Sequence, residues 1–402
     1  MKKVLILSLA YYPKFIGGDA VAIQEITDRI PPADIEFHMV TLRFDSSVPK
    51  VEKAGNVLVH RIGFAGRNVT IADLQKFPLK YTKYLFQLTA ALRALSLYKK
   101  YKYDAIWAMM AHSAGVPAAL FNIAHPRVPY ILTLQEGDPP QQIERTMHPL
   151  WPLFKRAFVR ASIVQTISHF LADWARSMGY KGPIEVIPNG SSVDLSRTYS
   201  HEELEEYKKK VGKRDGDIFI VSVSRLVHKN AVDDIVRALP MLPAHIKLLL
   251  VGDGPDKQML QKLAADLGVA DRIIYTGQVD TSETAKYRAI SDIFARPSRS
   301  EGMGNSFASA MASKLPIIAT QEGGLADFIF DAKRNPSKET TAWVVDRDSP
   351  RQIAEAVKDI LANPEQVKKV VETCYGLVAE VYNWDTIAKA MRDKVFGRVL
   401  AK

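Results

Sequence analysis

Across 402 positions the sequence has a single cysteine, Cys374. That excludes an internal disulfide framework and any zinc site built from several thiolates. No HExxH spacing links the histidines, among them His112, His125, His148, His169 and His228, so a zinc-binding helix of that type is absent. No apolar run approaches the roughly 18 residues needed to cross a bilayer. The opening MKKVLILSLAYYP has a basic start, but its apolar stretch breaks at Tyr-Tyr-Pro without a small-residue cleavage site. It reads as a buried strand, not a signal peptide. The expectation is a cytoplasmic protein, with the inner face of the membrane as a place of contact.

A composition of 47% apolar and 24% charged residues is that of an ordinary globular protein. The length favours two domains over one core. The formal charge of +10 is unevenly distributed. Residues 1–195 hold 23 Lys and Arg against 15 Asp and Glu, whereas residues 196–402 hold 31 against 29. An anionic surface should therefore meet the first half. No nucleic-acid recognition motif accompanies the charge.

Apolar strand candidates alternate with helical stretches throughout. The first series runs from Val4–Leu9 to Ile184–Ile187, and the second from Ile218–Val223 to Ala342–Val345. Alternation of this kind predicts two parallel sheets covered by helices, that is, an α/β protein with two doubly wound domains. Expected bounds are 1–195 and 217–381, joined by a polar linker at 196–216 that contains one short helix. A C-terminal helix over 382–402 is expected to return to the first domain. Ligands of such sheets bind beyond the carboxyl ends of the strands.

Four motifs carry candidate chemistry. Arg225 and Lys229 follow the first strand of the second domain, where a guanidinium fork and an ammonium suit a diphosphate. Gly252-Asp253-Gly254-Pro255 is a tight turn into a helix, but it lacks the third glycine of a dinucleotide fingerprint. In SEGMGNSF, Glu301 precedes a glycine turn that opens a helix near Asn305. Backbone N–H groups from Gly302 to Asn305 can meet a phosphate or a sugar hydroxyl, and Glu301 can accept from hydroxyls. Asp346-Arg347-Asp348 spells DxD, but it lies just before a helix, so Asp348 or Ser349 is expected to cap that helix.

The ordered set SRLV–HK, VGDGP, YTGQV and SEGMGNSF–AMASKLPIIAT resembles the carboxyl-terminal domain of family 4 glycosyltransferases of GT-B fold. LSLAYYPKFIGGDAVAIQEI and VIPNGSSVDL extend the resemblance over nearly the whole chain. It implies two Rossmann-like domains facing each other across a cleft, with C-terminal helices. It also implies a retaining transferase that moves a hexose-type sugar from a nucleotide-diphosphate donor, without a metal or other cofactor. The acceptor would be a saccharide or lipid-linked, as in surface glycan or glycolipid synthesis.

By the same resemblance, Arg225 and Lys229 neutralise the diphosphate and Glu301 holds the sugar hydroxyls. Gly302, Met303, Gly304 and Asn305 hold the sugar and distal phosphate, Gly17 and Gly18 close over that phosphate, and Val279 meets the base. Two positions depart from the pattern. Ser309 stands where a second glutamate usually clamps the ribose, and losing one charged hydrogen bond weakens binding by about 1–3 kcal/mol. Gln135 stands where a histidine is common and cannot shuttle a proton. Asp138 or Glu136 then becomes the acid or acceptor-orienting group. These departures motivate the alternative of a non-catalytic sugar-nucleotide-binding partner subunit.

Finally, residues 74–103 place Phe77, Tyr81, Tyr84, Leu88, Leu92 and Leu95 at helical spacing, with Lys76, Lys80 and Lys83 on another face. Two readings stay open: a core-facing stripe with a solvated back, or an interfacial helix making peripheral contact with an anionic membrane.

Overall fold

The structure, a computed structural model, describes residues 1–13, 17–67, 69, 73, 76–191 and 199–401. Residues 192–198, which include the end of VIPNGSSVDL and the start of the expected linker, lie outside the described residues, as do residues 14–16 and 74–75. The chain forms two compact units, Met1–Asn189 with Trp384–Lys402, and Gly190–Asn383.

The first unit begins with β1 (Lys2–Leu7), α1 (Gly18–Asp28), β2 (Ile35–Leu42), β3 (Val51–Ala54) and β4 (Val57–Ile62). It continues through α2 (Leu79–Tyr101), β5 (Ala105–Met109), α3 (Val116–Ala124) and β6 (Tyr130–Leu134). Then come α4 (Pro140–Met147), α5 (Trp151–Val159), β7 (Ile163–Thr166), α6 (His169–Ser177) and β8 (Ile184–Val186). The sheet has the order β3-β4-β2-β1-β5-β6-β7-β8, and only the β3–β4 pair is antiparallel. Strand order reverses between β1 and β5, so the crevice beyond their carboxyl ends is where such a sheet receives a ligand. Strands such as YILTL are buried at every position, as a parallel sheet covered on both faces requires.

In the second unit, α7 (His201–Val211) precedes β9 (Ile218–Val223), α8 (Val232–Ala238), β10 (Ile246–Val251), α9 (Lys257–Asp266) and β11 (Ile273–Gly277). There follow α10 (Thr281–Ala289), β12 (Ile293–Arg296), α11 (Asn305–Ala312), β13 (Ile317–Ala319), β14 (Trp343–Val344), α12 (Pro350–Ala362) and α13 (Pro364–Glu380). Its sheet is parallel in the order β11-β10-β9-β12-β13-β14, with the reversal between β9 and β12. α7 is strongly specified locally. Ser200 and Glu203 form a reciprocal capping box, acids fill the first turn and lysines the last, and Gly212 closes it at φ 67.

After α13 the chain re-enters the first unit as α14 (Trp384–Ala390) and α15 (Gly397–Leu400), joined by a widened turn over Met391–Phe396. Phe396 stacks edge-on against Phe37 and Trp107 at 5.6 and 5.2 Å, inside the core that also holds Val4 and Ile6. Arg29, at the C-terminal end of α1, donates to Asp385 at 2.6 Å.

Two expectations are corrected. The bulky stripe of α2 does not face the core. Leu79, Phe86, Ala90, Ala94 and Leu97 are buried, whereas Tyr81, Tyr84, Leu88 and Leu92 are exposed. Ser349 sits at the start of α12 but makes no capping bond, and Asp348, at φ 53, pairs with Arg299 at 2.6 Å. Cys374 is buried and donates to the Thr341 carbonyl, and burial pushes its thiol up to about 12. No helix among the described residues is long and apolar enough to cross a membrane.

Candidate functional site

In the second unit the site builds from the two strands flanking the reversal. β9 ends at Val223 and releases Ser224, Arg225 and Leu226. The GDG turn after β10 presses against this loop. A Cβ on Gly252, whose φ is 139, would lie 2.0 Å from the Ser224 carbonyl oxygen, and one on Gly254 would lie 2.3 Å from that of Leu226. The glycines let two backbones meet, and Leu226 N donates to the Asp253 carbonyl at 3.0 Å. The turn therefore sets where Arg225 leaves the sheet. Gly254→Ala is expected to lose about 1–3 kcal/mol of stability by overpacking, measured by urea unfolding. Val279 lies half-buried past β11, whose Gly277 carbonyl accepts from Gly252 N at 3.0 Å.

β12 ends at Arg296, the residue that joins the two sides of the site. Its guanidinium donates to Ser306 Oγ at 2.6 Å, to Asn230 Oδ1 at 3.1 Å and to Glu301 Oε2. Asn230 in turn donates to the Arg225 carbonyl at 2.7 Å. Glu301, Arg296, Asn230 and the Arg225 backbone thus form one hydrogen-bonded chain. Arg296 also lies 5.4 Å above the Phe307 ring. Glu301 is buried, its second oxygen 3.3 Å from Gly302 N, which leaves lone pairs for a further donor. Gly304, at φ 83, starts α11, and a Cβ there would strike Phe307 at 2.6 Å. Gly302 and Met303 are buried between them.

Arg225 is exposed and makes no ion pair among the described residues. Lys229 is half-buried, and its carbonyl accepts from Arg299 N at 2.7 Å. Arg299 also pairs with Asp233 at 2.8 Å and Asp234 at 3.3 Å, which fastens the β9 loop to the β12 loop. Burial, with Asp233 and Asp348 nearby, pushes Asp234 up to about 6 although Arg299 pulls the other way. Ser309 is buried within α11, so the structure does not present its hydroxyl at the surface.

In the first unit, the carboxyl ends of β1, β5 and β6 gather a second group. Gly17 starts α1 with an extended backbone, and a Cβ on it would meet Asp19 Oδ1 at 2.4 Å. Met110, just past β5, sits at φ 68, a strained position for a side-chain-bearing residue that costs on the order of 1–3 kcal/mol. The bend aims the next amides at Glu136, which accepts from Ala111 N at 2.5 Å and from Gln135 N at 3.0 Å. Glu136 is 1% exposed and holds the turn that starts α3, so it is not a carboxylate presented to a ligand. The Gln135 side chain pairs both ways with the Asn189 amide at 3.2 and 3.0 Å. Of the three candidates in this loop only Asp138 is exposed.

The residue missed by sequence reasoning is His112. Its Nδ1 lies 3.4 Å from Glu136 Oε1, its side chain is 37% exposed, and Nε2 has no partner among the described residues. Burial opposes charge on this imidazole, but Glu136, with Asp138 and Asp19 behind it, outweighs that and raises its pKa. Asp19 is itself raised, by desolvation and Glu136, with His112 pulling it down. Among the described residues no group of three or more His, Cys, Asp or Glu could hold a metal ion.

A family profile described as Glycosyl transferases group 1 matches residues 203–375. A second, described as Glycosyl transferase 4-like domain, matches residues 17–190. The chain is 31% identical over 241 residues to the GDP-mannose-dependent alpha-(1-6)-phosphatidylinositol monomannoside mannosyltransferase of Mycobacterium tuberculosis, covering 57% of this chain. It spans 60% of the length of that relative. Sucrose-phosphate synthase from Thermosynechococcus elongatus superposes with a TM-score of 0.80 over 100% of both chains, at 19% identity. The Anabaena protein HepE in complex with UDP-glucose superposes with a TM-score of 0.77 over 99% of this chain and 100% of its own, at 17% identity.

Proposed function

We propose that this chain, which belongs to the group 1 glycosyl transferases, moves a hexose-type sugar from a nucleotide-diphosphate donor to a hydroxyl of a saccharide or lipid-linked acceptor. The observation that carries the reading is the hydrogen-bonded chain from Glu301 through Arg296 and Asn230 to the Arg225 backbone. It sets an exposed cation at the end of β9 beside a glycine-rich helix start at the end of β12. That pairing suits a diphosphate next to a sugar.

In this reading the bond between the anomeric carbon and the phosphate oxygen breaks while the acceptor oxygen bonds the same carbon from the same face. Arg225, Lys229 and the amides of Gly302 to Asn305 stabilise the negative charge that develops on the leaving diphosphate. Glu301 accepts from a sugar hydroxyl, and the acceptor proton passes to the departing phosphate oxygen. These cations and amides supply the positive charge, so the reading requires no metal ion. The donor base is not assigned: one relative is named for GDP-mannose and one structural neighbour was solved with UDP-glucose. The test is a panel of sugar nucleotides, read first as a rise in melting temperature and then as turnover. The expected result is stabilisation by one donor and transfer of its sugar.

In this reading His112 supplies the titrating imidazole that position 135 lacks, with its Nδ1 on Glu136. Its raised pKa has a defined sign. The imidazolium's contribution to stability is fully present below about pH 6.5 and is lost as pH climbs through the raised value. His112→Gln should cut kcat/KM by about 10²–10³ and flatten the alkaline limb of its pH profile. An unchanged profile would remove His112 from the chemistry.

The alternative, a sugar-nucleotide-binding partner without turnover, draws on buried Ser309 and on Gln135 locked to Asn189. Donor stabilisation with no hydrolysis or transfer across an acceptor panel would favour it.

A further inference from the structure

α2 carries two apolar faces, and only one has a partner among the described residues of the first unit. Its smaller residues, with Phe86, are buried. Its bulky ones run along the opposite side: Phe77 just before the helix is 83% exposed, Tyr84 is 64% and Leu92 is 57%, with Tyr81, Leu85 and Leu88 between them. From Tyr81 to Leu92 these positions stay within a stripe about 100° wide and about 16 Å long. Isolated exposed apolar residues are ordinary, but a contiguous row of this size marks a contact surface. Phe64, also exposed, comes from the neighbouring loop, where Gly63 backs onto Thr82 of the helix.

The charge around the stripe names the occupant. Within α2 stand Lys80, Lys83, Arg93, Lys99 and Lys100, and no carboxylate. Lys80, Lys99 and Lys100 are exposed, and Lys102 follows directly. Lys76 is offset by Asp73 at 2.9 Å, so the net cationic character comes from the helix itself. Lysines and tyrosines flanking leucines are the pattern of a helix lying in a membrane interface, apolar face down and ammonium groups at the headgroups. A neutral apolar partner would leave the lysines unanswered, and an acidic globular partner would not need the continuous bulky row.

We infer that the face of α2 formed by Phe77, Tyr81, Tyr84, Leu85, Leu88 and Leu92, with Lys80 and Lys99, docks the chain onto an anionic lipid bilayer. The inference stands on this helix and needs no sugar nucleotide, so it holds or fails separately from the transfer reading.

The test is co-sedimentation of the full chain with phosphatidylcholine vesicles and with vesicles that also contain phosphatidylglycerol, at low and high salt. Wild type is expected to pellet with the anionic vesicles and to be released by salt. Lys80→Glu with Lys99→Glu should weaken binding about tenfold or more, and Phe77→Ser with Leu88→Ser should weaken it similarly because membrane affinity scales with inserted apolar area. All four positions are exposed, so unchanged melting temperatures check that the variants fold. Three results would overturn the inference: wild type staying in solution with anionic vesicles, equal binding to both vesicle types, or a concentration-dependent dimer that the serine variant dissolves.

Discussion

Glu301→Ala is expected to lower the unfolding free energy by about 3–5 kcal/mol, because it strands a buried guanidinium. Arg296 and Glu301 are both nearly sealed from solvent, with side chains 10% and 9% exposed. Nη1 donates to Ser306 and Nη2 also donates to Asn230, but both acceptors are neutral, and the buried Nε has no partner among the described residues. Removing the carboxylate therefore leaves a cation without a counter-charge in a site with little access to water. Glu301→Gln keeps a neutral acceptor but removes the counter-charge, so it should cost less stability than alanine and should slow transfer, not abolish it. Arg296→Met combined with Glu301→Leu should recover most of the stability lost in the alanine variant, since a packed apolar pair replaces a buried ion pair at little net cost. Urea unfolding of the three variants measures this directly. An unchanged midpoint for Glu301→Ala would mean that the pair does not hold the β12 loop.

Arg225→Ala should do the opposite, leaving stability intact and removing function. The side chain is exposed, and its structural link to the site runs through its backbone carbonyl, which alanine retains. Loss of one preorganised cation from a developing diphosphate charge is expected to cost about 10²–10³ in turnover. Arg225→Lys should recover only part, since an ammonium cannot present a planar fork to two phosphate oxygens. Steady-state kinetics with the donor varied gives the split: a fall in kcat marks charge stabilisation during bond breaking, and a rise in KM alone marks ground-state binding.

The sheets and most helices were legible because their signals are local. Continuous apolar runs such as Leu248–Val251 announce buried parallel strands, and the capping box and lysine-rich end of α7 announce that helix. β3 escaped because VEKA alternates exposed and half-buried residues at an edge, with no apolar run to read. α2 was readable as a helix, but its orientation was not. Both faces are apolar, and burial went to the alanine-rich one that packs closely. The Arg225, Glu301 and glycine-loop candidates could be found from strand ends and turn chemistry. What joins them could not: Arg296 meets Asn230 across 66 positions of sequence, and such pairings leave no periodic trace. His112 was missed for the same reason. Its partner Glu136 lies 24 residues away, and the strained Met110 that brings them together shows no sign in the sequence.

The most direct measurement is the structure of the protein soaked with its stabilising sugar nucleotide. The account predicts a diphosphate at the carboxyl ends of β9 and β12, within hydrogen-bond reach of the Arg225 guanidinium and the amides of Gly302 to Asn305, with the sugar against Glu301. A nucleotide bound elsewhere, or that mouth still closed by its own side chains while the compound stabilises the protein, would contradict it.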